Sequence, residues 1–284
     1  MIPFFEQPVL RLGPVSIYAF GVLLASAMLI GLHLAQRRAR RQGLDPDITS
    51  DMFVWALPFG LAGAHLYAVF AYFPSRLAED PWLLLRFWEE LSSFGGMAGG
   101  LLGILVYFRW RRPELSPSRR WAQLDVVAFV LPVSWAVGRF GCFFAHDHPG
   151  GVTTFFLGRS LNDPAARGFI AQIYAAAGRA AELPIPSELV EMAFHDLGWY
   201  EFLYLLFIVV PIFLWLDRKP RPRRFWVAAF LLLYTPVRFA FDFLRVSDAR
   251  YAGLTPGQYA ALAGFVAGLG LLASMRRVCS LRSG

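Results

Sequence analysis

Seven apolar runs of membrane-spanning length follow one another along the chain, separated by short polar breaks. They predict helices over about 15–35, 52–75, 93–110, 121–144, 198–216, 225–244 and 256–274, since crossing the hydrocarbon core takes roughly 20 apolar residues. Basic groups, RRARR (37–41), RWRRPELSPSRR (109–120), DRKPRPRR (217–224) and MRR (275–277), follow the first, third, fifth and seventh runs. With seven crossings all four groups fall on one side, and an excess of Lys and Arg marks the cytoplasmic side. The expected fold is an all-α polytopic membrane protein with seven transmembrane helices in one domain over 1–284, N-terminus outside and C-terminus cytoplasmic. Two larger connections, 76–92 and 145–197, lie on the outer side. The second is long enough for a small head between helices four and five. Its Ala-rich piece, ARGFIAQIYAAAGRAAEL, is expected as a helix lying at the membrane interface.

Composition narrows the function classes. Hydrophobic residues make up 57% and charged residues only 17%, against about a quarter charged in soluble domains. The net charge of +7 does not point to nucleic acid, because the arginines cluster in short loops between apolar runs. Cys142 and Cys279 fall near opposite faces of the membrane on this topology, so no disulfide is expected. Residues 1–14 lack a basic n-region and the first apolar stretch continues into a span, so no cleavable signal peptide is expected. There is no internal repeat.

Polar residues inside apolar runs are expensive and usually functional. In LLLYTPVRFAFDFLR, Tyr234, Arg238, Asp242 and Arg245 are spaced four, four and three apart, which predicts one helical face. Arg238 can neutralise Asp242 at i+4. Arg139, near the outer end of the fourth run, and Arg245 then remain, and three arginines against one aspartate predict surplus positive charge. Guanidinium groups suit phosphate oxygens, so the expectation is a clamp for an anionic phospholipid headgroup. Snorkelling is the alternative for Arg139.

SSFGGMAGGLLG opens the third helix with glycines at 95, 96, 99, 100 and 103. Either close helix packing or room for acyl chains accounts for them. Glu201, inside the fifth run, needs a cation, and Arg139 is the candidate. Asp196 just before that run suits an N-cap. His146, Asp147 and His148 at the outer mouth read as a solvated loop, a proton-transfer group or, with His195, half of a zinc site. The irregular order argues against a metal, and no metal or cofactor is expected.

Six segments in this order resemble the prolipoprotein diacylglyceryl transferase family of bacterial inner membranes: GPVSIYAFG (13–21), RFWEELSSFGG (86–96), GRFGCF (138–143) with Asp147 and Gly150, HDLGWYE (195–201), RKPRP (218–222) and YTPVRFAFDFLR (234–245). The resemblance implies a multi-pass inner-membrane enzyme with a periplasmic head. Such an enzyme moves the diacylglyceryl group of phosphatidylglycerol onto the lipobox cysteine thiol of a prolipoprotein and releases glycerol phosphate. It assigns catalytic roles to Arg139, Arg238, Tyr234, Asp147 and His195. Lipid contacts fall to Arg139, Gly150, Gly95, Gly96, Arg245, Asp242, Glu201 and Cys142. The chain departs from the family pattern at Gly95 (histidine), Phe20 (tyrosine), Cys142 (asparagine), Asp147 (glutamate) and Asp242 (glutamate). The missing histidine is a candidate thiol base. Its replacement is His146, His148 or His195, or else the arginine field lowers the thiol pKa.

Two readings follow. One is the transferase itself; the alternative is a divergent relative that binds anionic phospholipid without this transfer or uses another acceptor. A transporter is disfavoured by the absence of a matching polar path to the cytoplasm. On the first reading Gly95→His is expected to be tolerated or stimulatory. Cys142→Ser is expected to retain activity.

Overall fold

The computed structural model of the chain describes residues 1–280, and for 15 and 276–280 the backbone only. Cys279 and the arginines of the last basic group therefore lie outside the described side chains.

A hairpin of β1 (Val9–Leu12) and β2 (Val15–Tyr18) leads into α1 (Ala19–Arg41), then α2 (Pro46–Tyr72) and the short α3 (Pro74–Glu79). Next come α4 (Ser93–Trp110), α5 (Pro117–Ala145), β3 (Pro149–Thr153), β4 (Arg159–Ser160), α6 (Pro164–Ala176), α7 (Pro186–Leu189) and β5 (Ala193–Asp196). A further helix runs through α8 (Leu197–Tyr204), a π turn at Leu205–Val209 and α9 (Val210–Leu216). The last two are α10 (Phe225–Phe241) and α11 (Pro256–Ser280).

Among the described residues, six helical stretches are long and apolar enough to cross a membrane: Ala19–Arg41, Pro46–Tyr72, Pro117–Ala145, Leu197–Leu216, Phe225–Leu244 and Pro256–Met275. The chain is a polytopic membrane protein. The remaining expected span coincides with the 18-residue α4, which is not among these six. The first span was expected from residue 15, but 15–18 form β2, and the helix starts at Ala19. Several helix starts carry their own signals. Asp45 and Asp163 each accept a backbone N–H two residues on, with proline following as the first helical residue.

The described residues form two compact units: Met1–Ile30, Pro132–Leu216 and Val237–Asp248 form the first, and Gly31–Leu131, Asp217–Pro236 and 249–280 the second. In the first unit, the 145–197 segment folds into a three-stranded antiparallel sheet of order β3-β5-β4 with α6 against it. Ala166, Ile170 and Tyr174, four apart on α6, are buried with Leu161, Leu189, Phe194 and Val246. The Ala-rich helix thus turns its apolar face into the head's own core, correcting the expectation of an interfacial helix. Beneath the sheet Arg159 is fully buried. Its Nε and Nη2 donate to Asp196 Oδ2 at 3.0 and 2.8 Å, and Nη2 also donates to the Phe143 carbonyl at 3.1 Å.

In the second unit α2 and α4 pack with almost no side chains between them. A Cβ built on Gly63 would lie 2.5 Å from the Gly95 carbonyl oxygen and 2.8 Å from Gly99 Cα. One built on Gly95 would collide with the Gly63 carbonyl and with Tyr67 Cβ. Further along the helix pair, Ile48, Met52, Ile104, Tyr107, Phe108 and Leu115 form a conventional apolar core. The glycine stripe therefore serves close helix packing. Gly95, expected as a lipid contact, is buried against α2, and a histidine there has no room.

Candidate active site

The fourth long helix, α5, ends at Ala145, and His146 follows with φ of 54°. A left-handed residue just past a helix end closes the helix and reverses the chain, and histidine tolerates that region better than most residues. The position is fixed by its ring. His146 Nε2–H donates to the Phe5 carbonyl at 2.6 Å and the imidazole stacks on Phe4 at 4.8 Å. Burial holds its pKa below the ordinary histidine value.

The reversal returns Asp147 and His148 to the end of α5. His148 Nδ1 bonds the Asp147 carboxylate, while His148 Nε2 lies 3.2 Å from Arg139 Nη1. Because a guanidinium only donates, Nε2 is the acceptor and Nδ1 carries the proton. Arg139 Nη1 also lies 3.7 Å from Cys142 Sγ.

Deeper in the same unit stands a buried ion-pair network. Glu201 Oε2 is 2.9 Å from Arg139 Nε, and its Oε1 is 3.5 Å from Arg238 Nε. Arg238 Nη1 pairs with Asp242 at i+4. The four side chains are 3%, 1%, 3% and 0% exposed in the order Arg139, Glu201, Arg238, Asp242. Removing one member of a buried pair strands the other at about 3–5 kcal/mol, so the carboxylates hold both guanidinium planes in fixed orientation. The pairing of Glu201 with Arg139 anticipated from burial is present.

Two expectations are corrected. Tyr234, Arg238, Asp242 and Arg245 do not share one helical face: α10 ends at Phe241, Asp242–Leu244 tightens into a 3₁₀ turn, and Arg245 is extended. Its backbone bridges Gly150 and its side chain pairs with Asp248 at 3.0 Å. Nor is there a surplus of positive charge. Arg139, Arg238 and Arg245 face Glu201, Asp242 and Asp248, and Asp147 adds a further carboxylate at the mouth.

Gly150 has a geometric reason to lack a side chain. A Cβ there would fall 2.8 Å from both His195 Cβ and the Leu244 carbonyl, so only glycine lets β3 pass between β5 and the 3₁₀ turn. His195 shares a 3.0 Å hydrogen bond with Tyr200, and burial lowers its pKa. Asp196 caps α8 by accepting from Trp199 N at 3.1 Å. Cys142 lies where Gly198 of α8 packs on α5, 3.0 Å from a Cβ built on that glycine, which makes it a packing residue. Gly95, Gly96 and Tyr234 belong to the second unit. Tyr234 is buried there, its ring stacked on Phe230 at 5.3 Å.

The zinc arrangement finds no support, since His146 and His195 are occupied as described. Cys142, Asp147 and His148 bring ligand atoms within 4.8 Å of one another, but the Arg139 guanidinium stands among them and repels a cation. Sequence reasoning missed Asp248 and Arg159, which lie in the polar connections between apolar runs. It placed Asp147 and His148 together at the mouth without anticipating the hydrogen bond between them.

The model of the family described as prolipoprotein diacylglyceryl transferase matches residues 7–274. The phosphatidylglycerol–prolipoprotein diacylglyceryl transferase of Symbiobacterium thermophilum is 34% identical over 53% of this chain and 54% of its own length. That of Lactiplantibacillus plantarum is 33% identical over 55% of this chain and 53% of its own. The chain thus spans about half the length of these two relatives. The protein of the same description from Chromohalobacter salexigens is 29% identical over 97% of this chain and 94% of its own length.

Proposed function

The chain belongs to the prolipoprotein diacylglyceryl transferase family, and on that premise we propose that it transfers the diacylglyceryl group of phosphatidylglycerol to the lipobox cysteine thiol of prolipoproteins. The observation that carries this reading is the buried network joining Arg139, Glu201, Arg238 and Asp242. Attack of sulfur on a glyceryl carbon expels a phosphate, and preorganised guanidinium groups stabilise that developing charge. Arg139 Nη1 reaches the His148 ring and the Cys142 sulfur. An anionic phosphate outcompetes both, since it adds an opposite charge and its oxygens match the guanidinium fork bidentately.

The enzyme works in the bacterial inner membrane as seven spans, with α4 as the third. The four basic groups then lie in the cytoplasm, and the network lies toward the periplasmic face beneath the 145–197 head.

Transfer from labelled phosphatidylglycerol to a lipobox peptide, in vesicles and by complementation of a transferase-depleted strain, tests this reading. Arg139→Ala is the decisive variant, because Glu201 keeps Arg238 as a partner and the protein is expected to accumulate. Loss of one preorganised donor predicts a fall of about 10²–10³-fold; undiminished transfer refutes the assignment.

A further inference from the structure

A thiol of pKa about 8.5 is mostly protonated at neutral pH, so transfer to sulfur needs a group that takes its proton. Position 95 has no room for one. Of the five histidines, four are accounted for elsewhere. His65 presents both ring nitrogens, at 3.0 Å each, to the backbone carbonyls of Glu89 and Leu83. His146 holds the Phe5 carbonyl, and His195 is bonded to Tyr200. His33 is exposed on α1 next to the RRARR group.

His148 differs from all of them. Its Nδ1–H is fixed by Asp147, and its Nε2 lone pair points to the guanidinium on which the phosphate-binding role rests. The side chain is 15% exposed, so it is reached from the outer mouth. The charged groups facing it are Asp147 and Arg139, with Asp248 at longer range and the Cys142 thiol alongside.

Taking the transferase reading as given, we propose that His148, oriented by Asp147, is the base that removes the proton from the acceptor thiol. When a lipid phosphate draws Arg139 Nη1 away, Nε2 is uncovered beside the leaving group. The S–H proton then passes to Nε2, and a sulfur electron pair forms the C–S bond at the glyceryl carbon. The C–O bond to phosphate breaks, with its electron pair leaving on glycerol phosphate. Water takes the proton from His148 after product departs. Phosphate binding and base activation are coupled through one arginine, so the base is held covered until donor lipid is present. Asp147 acts through His148 and is a positioning residue.

The test compares two acceptors in phosphatidylglycerol vesicles: a lipobox peptide and the same peptide with selenocysteine, whose selenol is ionised at neutral pH without a base. His148→Ala is expected to lower thiol transfer by about 10²–10⁴-fold, the usual worth of a general base, and to leave selenol transfer within a few fold of wild type. The residual thiol rate should rise about tenfold per pH unit up to the thiol pKa, more steeply than the wild-type rate. Asp147→Asn should show the same acceptor split in smaller degree. Equal loss on both acceptors means a structural role and overturns the proposal, as does unchanged thiol transfer. Wild-type protein inactive on both acceptors defeats the transferase reading, and this proposal with it. Wild-type activity with an indifferent His148→Ala defeats the proposal alone.

Discussion

Alanine substitutions along α4 separate packing from ligand contact. At Gly95 a Cβ meets the Gly63 carbonyl and Tyr67 Cβ well inside van der Waals distance. Backbone cannot rotate away, so α2 and α4 must move apart. At Gly100, five residues on, the nearest atoms to a Cβ are the Ala56 oxygen at 3.7 Å and its Cβ at 3.8 Å, an ordinary contact. Both substitutions gain about 1 kcal/mol of helix propensity. That gain cancels in the comparison and leaves the overpacking penalty at 95, about 1–3 kcal/mol. For a domain of this size it corresponds to a separation of roughly 2–12 °C in Tm. Thermal unfolding of the two purified variants in one detergent, followed by tryptophan fluorescence, measures it. Gly100→Ala should match or exceed wild type, and Gly95→Ala should fall below it. Gly95→His should fall further and lose activity in proportion to folded protein. Equal midpoints for the two alanine variants, or a histidine variant more active than wild type, would refute the packing account of this stripe.

Glu201→Gln keeps the shape of the network and removes the charge shared by two arginines. We expect tighter binding of phosphatidylglycerol vesicles with at least tenfold slower transfer, and a variant with wild-type values of both would show that Glu201 does not hold the guanidiniums. Cys142→Ser preserves a small side chain where α5 meets Gly198, so transfer should stay within about threefold; a dead but folded variant would give the thiol a chemical role. The pH response of the head follows from His146 and His195, whose pKa values burial lowers in the fold. The folded state binds fewer protons than the unfolded one, so stability is intact above about pH 6.5 and declines as pH falls through that value, by up to about 1.4 kcal/mol per unit per histidine. Hydrogen exchange of residues 193–196, corrected for intrinsic rate, should be faster at pH 5.5 than at 7.5, and equal protection would contradict the sign.

What could be read in advance follows from what lipid forbids. Unpaired charge is so costly in hydrocarbon that Glu201 inside an apolar run announced a cation, and Arg139 is its partner at 2.9 Å. The same rule found the long helices, because each needs an extended apolar run. It misplaced several starts: the apolar VSIY is a strand, and α2 and α5 begin at the polar-flanked Pro46 and Pro117, ahead of their apolar runs. On the watery side no such penalty applies, and an arginine or aspartate in a loop carries no sign of its surroundings. Arg159 is therefore invisible in the sequence although it is fully buried on Asp196. Asp248 is equally so, and missing it produced the mistaken surplus of positive charge. The short strands β3, β4 and β5 have too few residues to show alternation, and their order depends on Gly150 slipping past His195. The site is therefore legible in its membrane half and illegible in its head half. His148 stands at that boundary: its residue type was plain, but the Asp147 carboxylate on one nitrogen and the Arg139 guanidinium on the other, which together make it a base, exist only once α5 has turned back on itself at His146.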